Sequence, residues 1–166
     1  MRILGIDPGL ATVGWGVIDV ERGKPKVVSY GVILTPKEKR LPERLAIIEE
    51  DVKSIIDKYK PDEIALEELF FNSNVTTAIN VAQARGVILV TAIKGSNGKL
   101  YEYTPLQIKQ ALTGYGRAEK RQIQEMTKTF LGLSKIPKPD DAADALAVAL
   151  THSQTSTSLS AGFQIR

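Results

Sequence analysis

Short runs of β-forming residues dominate the start of the chain and recur twice later. They are rich in Ile, Val and aromatic residues, and turn residues separate them, which is the pattern of β-strands. The predicted strands cover about residues 2–7, 12–20, 26–34, 63–67 and 99–103. Asp7-Pro8-Gly9 between the first two runs has turn chemistry, so these two strands are predicted to form a hairpin.

Apolar residues at three- and four-residue intervals predict amphipathic helices among the later segments. The predicted helices cover about residues 42–59, 75–93, 105–113, 118–131 and 140–152. In the second of them, the small residues Ala78, Ala82 and Gly86 would let another helix approach closely, either within the chain or in a second subunit. Three strands followed by alternating strands and helices predict an α/β fold, with a five-stranded mixed sheet flanked by helices.

Length and composition predict one globular domain. The chain has 166 residues, 43% of them hydrophobic, and we assign the domain to residues 1–153 and a flexible polar tail to 154–166. It has no cysteine, which excludes disulfides and thiolate metal sites. The first residues lack the features of a signal peptide and we find no apolar run of about 18 residues, so a cytoplasmic protein without membrane contact is expected.

Basic residues are concentrated in one part of the sequence. Residues 94–138 hold nine Lys or Arg against three Glu, whereas the rest of the chain is net acidic. This asymmetry favours a protein that grips a polyanion with one surface and binds divalent cations with another. A solvated lysine-rich surface without function is the alternative.

Carboxylates stand where two apolar strands end. Asp7 closes the first strand, and Glu67 and Glu68 follow the apolar run 64–66. A carboxylate in such a position costs several kcal/mol to bury unless it is paired or binds a metal. Asp7 could instead open the following turn, and Glu67 and Glu68 point to opposite faces, so the pattern alone does not say which of them belongs to a site.

Two more carboxylates lie three residues apart at the start of the last predicted helix. Asp141 and Asp144 therefore share one face, with β-carbons about 5–6 Å apart. Asp140 or Asp141 could simply cap the helix, but Asp144 lies within an apolar, alanine-rich stretch that would let the helix approach a sheet closely.

These four carboxylates predict a metal site. Asp7, Glu67, Asp141 and Asp144 offer only oxygen ligands, which suit Mg²⁺, or alternatively Mn²⁺, rather than zinc. A carboxylate cluster beside a basic surface is typical of two-metal phosphoryl chemistry, in which two ions in one active site activate water and stabilise the leaving oxygen.

At these residues the chain resembles the RuvC family of bacterial Holliday junction resolvases, the crossover junction endodeoxyribonucleases. The matching motifs are Gly5-Ile-Asp-Pro-Gly9, Gly14-Trp-Gly-Val17, Ala65-Leu-Glu-Glu-Leu-Phe70, Gln83-Ala-Arg-Gly86, Lys109-Gln110, Ala118-Glu-Lys120 and Asp141-Ala-Ala-Asp-Ala-Leu146. They occur in order and at the family's spacing over residues 1 to about 152.

The resemblance implies a ribonuclease H-like fold and a homodimer that nicks a four-way DNA junction symmetrically, with Mg²⁺ as cofactor. It implies Glu67 rather than Glu68 as a ligand. Some family members have His at the third acidic position; here it is Asp141, so an all-carboxylate site is expected. The implied partners are four-way junction DNA and the RuvA and RuvB branch-migration proteins.

The resemblance also implies DNA contacts. Lys109 and Lys120 would hold phosphates at the cut site, with Lys120 part of the catalytic machinery, and Phe70 would stack on or wedge into bases at the crossover. Arg117 and Arg121, in the basic segment, are assigned to DNA binding with them. Ordinary helix surface is the alternative for the two lysines, and core packing is the alternative for Phe70.

Three other functions compete with junction cleavage. Asp7-Pro-Gly9 before a glycine-containing strand also begins the phosphate hairpin of actin-like ATPases and sugar kinases, but 166 residues leave no room for their second half. A junction-binding protein without activity would not need the complete acidic set. A nuclease of the same fold that acts on RNA–DNA hybrids is disfavoured only by the motif resemblance.

Overall fold

The chain folds as five strands and five helices in the computed structural model, which describes residues 1–69, 75–155 and 162–165. The strands are β1 (Arg2–Asp7), β2 (Thr12–Glu21), β3 (Lys24–Leu34), β4 (Glu63–Glu67) and β5 (Leu100–Tyr103). The helices are α1 (Leu41–Tyr59), α2 (Val75–Gly95), α3 (Pro105–Thr113), α4 (Lys120–Phe130) and α5 (Asp140–Gln154). The sequence predicted all ten, with small differences at their ends.

The strands form one mixed sheet in the order β3-β2-β1-β4-β5. β1, β2 and β3 are antiparallel neighbours, which confirms the predicted hairpin. β4 pairs parallel with both β1 and β5. Because β1 and β4 are parallel neighbours, their carboxyl ends lie at the same edge of the sheet.

Helices cover both faces of the sheet and bury a separate apolar cluster on each. On one face, α1 and α2 pack over residues such as Leu4 and Leu66. On the other face, α5 lies across β1 and β2, and α3 and α4 pack against α5. The second cluster includes Ile3, Ala65 and Leu146. The predicted α/β architecture, a five-stranded mixed sheet flanked by helices, is confirmed.

The single histidine is a buried structural residue. His152, in the last turn of α5, has its Nε2 2.7 Å from Oε2 of Glu63 and its Nδ1 2.7 Å from the hydroxyl of Tyr103. Burial lowers the pKa of His152, so its neutral form is favoured in the folded protein. Glu63 begins β4, at the opposite end of that strand from Glu67, so this network lies away from the carboxyl ends of β1 and β4.

Part of the predicted flexible tail is bound to the sheet. Phe163 O accepts from Glu102 N at 2.9 Å, and Ile165 N donates to Leu100 O at 2.9 Å. The ring of Phe163 lies 5.0 Å from that of Tyr103. Residues 162–165 therefore lie along the edge of the sheet beside β5, because backbone groups of Phe163 and Ile165 and the ring of Phe163 find partners there.

Helix α2 is more apolar than its sequence was judged to be. The stretch Thr76–Gly95 is long and apolar enough, by length and composition, to cross a membrane, and only 22% of its most apolar part is buried in the protein. The expectation that no such run exists was wrong. Small residues and isolated polar side chains interrupt the apolar residues of α2, so its high mean hydropathy does not show as a continuous apolar run.

Candidate active site

Two carboxylates meet at one edge of the sheet because two parallel neighbours end there. Asp7 is the last residue of β1 and Glu67 is the last residue of β4. Ile3 and Ala65 belong to the apolar cluster beneath α5, and side chains on one face of a strand recur every second residue. Asp7 and Glu67 therefore lie on the α5 face, which decides between Glu67 and Glu68 on structural grounds.

Helix α5 brings two more carboxylates to this edge, because three glycines leave space for it directly on the strands. A Cβ on Gly5 would overlap the carbonyl oxygen of Ala145, and one on Gly14 would overlap that of Asp141. A Cβ on Gly16 would lie 2.7 Å from the side chain of Leu146. The helix backbone thus contacts the strand backbones, a closer approach than any other side chain would permit.

The beginning of α5 excludes the alternative that Asp140 or Asp141 is the N-cap of this helix. The helix is preceded by Pro139, which makes no side-chain cap, and Asp140 and Asp141 both lie in the first turn. Neither aspartate is therefore the N-cap. Asp141 and Asp144 remain on one face, as their spacing predicted.

The three most enclosed carboxylates repel one another. Burial, together with the negative charges of Glu67, Asp144 and Asp141, raises the pKa of Asp7 to about 8. Burial and the charge of Asp144 raise the pKa of Glu67 to about 7, and burial raises that of Asp144. The edge of the sheet therefore concentrates negative charge that the protein's own groups do not fully neutralise.

Lysine 120 provides the nearest positive charge. Its Nζ lies 2.9 Å from Oδ2 of Asp144 and 3.8 Å from Oδ2 of Asp140, and the hydrogen bond to Asp144 raises the pKa of Lys120. Lys138 in turn binds Asp140 at 2.6 Å. The first residue of α4 is thus tied to the first turn of α5, which orients the ammonium group towards the carboxylates.

A cavity of about 200 Å³ opens beside these groups. Its lining residues are Glu67, Pro105, Ile108, Lys109, Lys120, Ile123, Asp144 and Ala147. Two carboxylates and two lysines therefore share one concave surface between β4, α3, α4 and α5. Such a surface can hold a phosphate group against the lysines while its ester bond faces the carboxylates.

The four predicted ligands offer only carboxylate oxygens, the donor type that divalent Mg²⁺ and Mn²⁺ prefer. Asp7, Glu67, Asp141 and Asp144 all interact electrostatically, and a cation would relieve the repulsion that raises the pKa values of Asp7 and Glu67. Within residues 1–69, 75–155 and 162–165, no three His, Asp or Glu side chains already form a group that could hold a metal ion.

The structure also locates most of the predicted DNA-binding residues. Lys109 lines the cavity, and the exposed Arg117 and Arg121 lie just before α4 and in its first turn. Phe70 lies outside the described residues. The sequence did not single out Asp140 and Lys138 as partners of the site, although the charged run around Pro139 was a usable signal. The recurring glycines of β1 and β2 likewise indicated a close helix contact.

The family resemblance predicts that Lys120→Ala slows cleavage about 100-fold or more, since an aligned charge at a transferring phosphate contributes at this scale. Single-turnover cleavage of a four-way junction at saturating protein measures the effect. Lys128→Ala is the matched control, because Lys128 lies on α4 and pairs only locally with Glu125. Equal rates for wild type and Lys120→Ala would remove this lysine from the site.

Comparison with known proteins identifies the family. A sequence profile described as Crossover junction endodeoxyribonuclease RuvC matches residues 3–152. A protein of that name from Finegoldia magna is 57% identical over 152 residues, which are 92% of each chain. Another from Alkaliphilus oremlandii is 56% identical and covers 93% of this chain and 94% of its own.

Solved structures agree with the sequence relatives. The Thermus thermophilus RuvC structure superposes with a TM-score of 0.85 at 37% identity, covering 93% of this chain and 94% of that one. T. thermophilus RuvC in complex with Holliday junction substrate gives a TM-score of 0.86 at 36% identity, with 92% and 93% covered. The yeast mitochondrial Holliday junction resolvase Ydc2, at 12% identity and a TM-score of 0.68, shares the fold.

The profile match over residues 3–152 includes every carboxylate and lysine gathered at this edge of the sheet. With relatives above 50% identity along nearly their whole length, the chain belongs to the RuvC family of crossover junction endodeoxyribonucleases.

Proposed function

We propose that the protein resolves four-way (Holliday) DNA junctions by hydrolysing one phosphodiester bond in each of two symmetric strands, with two divalent metal ions in each active site. One observation carries the assignment of the site. Half-buried Glu67 of β4 and Asp144 of α5 line one cavity together with lysines from α3 and α4, and Asp7 of β1 interacts electrostatically with both carboxylates.

Asp7, Glu67, Asp141 and Asp144 would hold the metal ions, and Mg²⁺ is the expected metal, with Mn²⁺ as a substitute. Bound there, the ions would supply Lewis acidity that activates water and neutralises charge on the leaving oxygen. Burial of Asp7 and Glu67 supports this role. In a site of low polarity, carboxylates attract a divalent cation more strongly than exposed carboxylates would.

Lys109 and Lys120 position the scissile phosphate. Both line the cavity that contains Glu67 and Asp144, so their ammonium groups can bind the non-bridging oxygens of a phosphate placed there. Lys120 is paired with Asp144 here; with a metal and a phosphate bound, Asp144 would hold the metal and the ammonium group of Lys120 would bind the phosphate. The exposed Arg117 and Arg121 extend this positive surface along the DNA backbone.

Symmetric cutting requires two active sites in one assembly, as a homodimer would provide. We assign the exposed face of α2 to the contact between the two subunits. Ile79, Val90 and Ile93 are 54%, 53% and 43% exposed, and nothing lies within 4 Å of a Cβ built on Gly86. Arg85, midway along the helix, is tied to Glu102, which suits a protein interface better than lipid. We also propose a cytoplasmic location and RuvA and RuvB as partners, as the family resemblance implies.

Val90→Glu is expected to convert the dimer into monomers at micromolar concentration, because it would place a charge in an apolar interface. Sedimentation equilibrium measures the assembly state. The monomer should lose paired nicking while its circular dichroism spectrum stays unchanged. Leu34→Glu, at a 64% exposed apolar position on β3, is the control. A dimer that persists in Val90→Glu would place the contact elsewhere.

Cleavage of a labelled four-way junction tests the proposed function. The protein is incubated with Mg²⁺ or with EDTA, beside linear duplex and RNA–DNA hybrid of the same sequence. Symmetric nicks in the junction alone, abolished by EDTA, are the expected result. Junction binding without nicks would favour a binding protein without activity, and cleavage of the hybrid would assign a different substrate to the same site.

A further inference from the structure

The turn that joins α3 to α4 carries an exposed aromatic ring on a backbone that is held in place. Tyr115 is 57% exposed, yet both of its backbone polar groups are engaged. Its N–H donates to Thr113 Oγ1 at 3.1 Å, and its carbonyl accepts from Ala118 N–H at 3.2 Å. The same threonine hydroxyl also lies 2.7 Å from Lys109 O, which joins the turn to α3.

Packing fixes the turn further. Gly114 caps α3 in the left-handed conformation, with φ 71°, and its N–H donates to Gln110 O at 2.8 Å. A Cβ on Gly116 would lie 2.6 Å from the side chain of Leu106, so the turn backbone folds directly against α3. Ala118, only 2% exposed, anchors its other end. The backbone under Tyr115 is therefore held on both sides while its ring projects into solvent.

The surroundings of this ring distinguish it from an ordinary exposed side chain. A single exposed apolar residue needs no explanation by itself. This one lies between the helices that carry Lys109 and Lys120, the two cavity lysines, and two residues before the exposed Arg117. Exposed Leu106, next to cavity residue Pro105 at the start of α3, adds apolar surface where its side chain reaches Gly116 of the turn. An aromatic ring among cations at a phosphate site is the combination that binds a nucleotide by its flat face.

We infer that Tyr115 stacks on the base of a nucleotide adjoining the scissile phosphate and so helps to choose which phosphate enters the cavity. The inference rests on the proposed function and adds a residue to it. Lys109 and Lys120 bind the phosphate through charge and cannot distinguish one phosphate from the next. An aromatic ring on the turn between their helices can, because stacking depends on the neighbouring base and the backbone that carries the ring is already ordered.

Tyr115→Ala is expected to weaken junction binding in EDTA about 5- to 100-fold, the range that stacking of one base produces. It should raise KM more than it lowers kcat, and Tyr115→Phe should restore both, since the ring and not the hydroxyl is required. Tyr30→Ala is the matched control. Tyr30 is an exposed tyrosine on β3, at the other edge of the sheet, and its loss should leave binding unchanged.

A double-mutant cycle identifies the base as the group contacted. Junctions carrying an abasic nucleotide at each position beside the cut are compared with wild type and Tyr115→Ala. At one position, the abasic junction should weaken wild-type binding by the same factor as Tyr115→Ala, with no further loss when both changes are combined. Independent losses at every position, or unchanged binding and KM in Tyr115→Ala, would overturn the inference. Absence of cleavage by wild type would instead contradict the proposed function.

Discussion

Asp7→Asn is expected to reduce junction cleavage at least about 100-fold. Loss of a residue that only supports a metal ligand costs up to about 100-fold in activity, and loss of a ligand itself should cost at least as much. The same change should make the metal-free protein more stable. Asparagine keeps the shape of the side chain but cannot carry the charge that a metal ion needs. It also removes a carboxyl group whose ionisation burial and the charges of Glu67 and Asp144 oppose.

The sign of the stability effect follows from the raised pKa of Asp7. Its pKa rises from 3.8 to about 8 on folding, so above pH 4 the folded protein keeps a proton that the unfolded chain releases. The free energy of unfolding of the metal-free protein therefore falls as the pH rises from about 4 to about 8. At pH 8, Asp7→Asn should raise it by about 1 kcal/mol or more, or about 3 °C in Tm.

Thermal unfolding in EDTA and with Mg²⁺ measures both effects. Mg²⁺ should raise the Tm of wild type and leave that of Asp7→Asn nearly unchanged, and junction binding in EDTA should persist in the variant. Asp51→Asn, at an exposed position of α1, is the control and should change neither activity nor Tm. A lower Tm for Asp7→Asn in EDTA would show that the charge supports the fold rather than the chemistry.

Gly14→Ala is expected to destabilise the protein by about 3 kcal/mol and to abolish cleavage in the fraction that folds. The added methyl group would overlap the backbone carbonyl of Asp141, so α5 has to move away from β2. That movement would carry Asp141 and Asp144 away from Asp7 and Glu67. Urea denaturation gives the stability, and single-turnover cleavage gives the activity of the folded fraction.

Gly16→Ala provides the matched comparison on the same strand and face. Its methyl group would lie 2.7 Å from Cγ and Cδ2 of Leu146 and 3.2 Å from its Cα, whereas that of Gly14→Ala would overlap a backbone carbonyl, so the loss of stability and of activity should be smaller than for Gly14→Ala. The reverse order, or equal effects, would show that the close contact between α5 and the sheet does not set the position of the carboxylates.

The secondary structure could be predicted from sequence because every element has a clear local signal. β1 and β4 are short apolar runs, and α1 repeats its buried residues Ile48, Val52 and Ile56 at helical spacing. The carboxylates were also predictable, because charge at the end of an apolar strand, or within an alanine-rich helix, has few structural explanations.

Relations between distant segments could not be predicted from local pattern. The face that Glu67 shares with Asp7 depends on which helices cover each side of the sheet, which strand periodicity does not contain. The pairing of Lys120 with Asp144 joins residues on different helices. Residues 162–165 likewise find partners on β5 only in the folded chain, so their polar surroundings in sequence suggested a tail.

The central claim, that Asp7, Glu67, Asp141 and Asp144 hold the catalytic metal ions, is tested most directly by locating Mn²⁺. Anomalous scattering is measured from crystals of the protein bound to a junction with non-hydrolysable links at the cut sites. The account predicts two manganese peaks per active site, about 3.5–4 Å apart, ligated by these four carboxylates. Peaks confined to other carboxylates, with Asp144 still paired with Lys120, would contradict it.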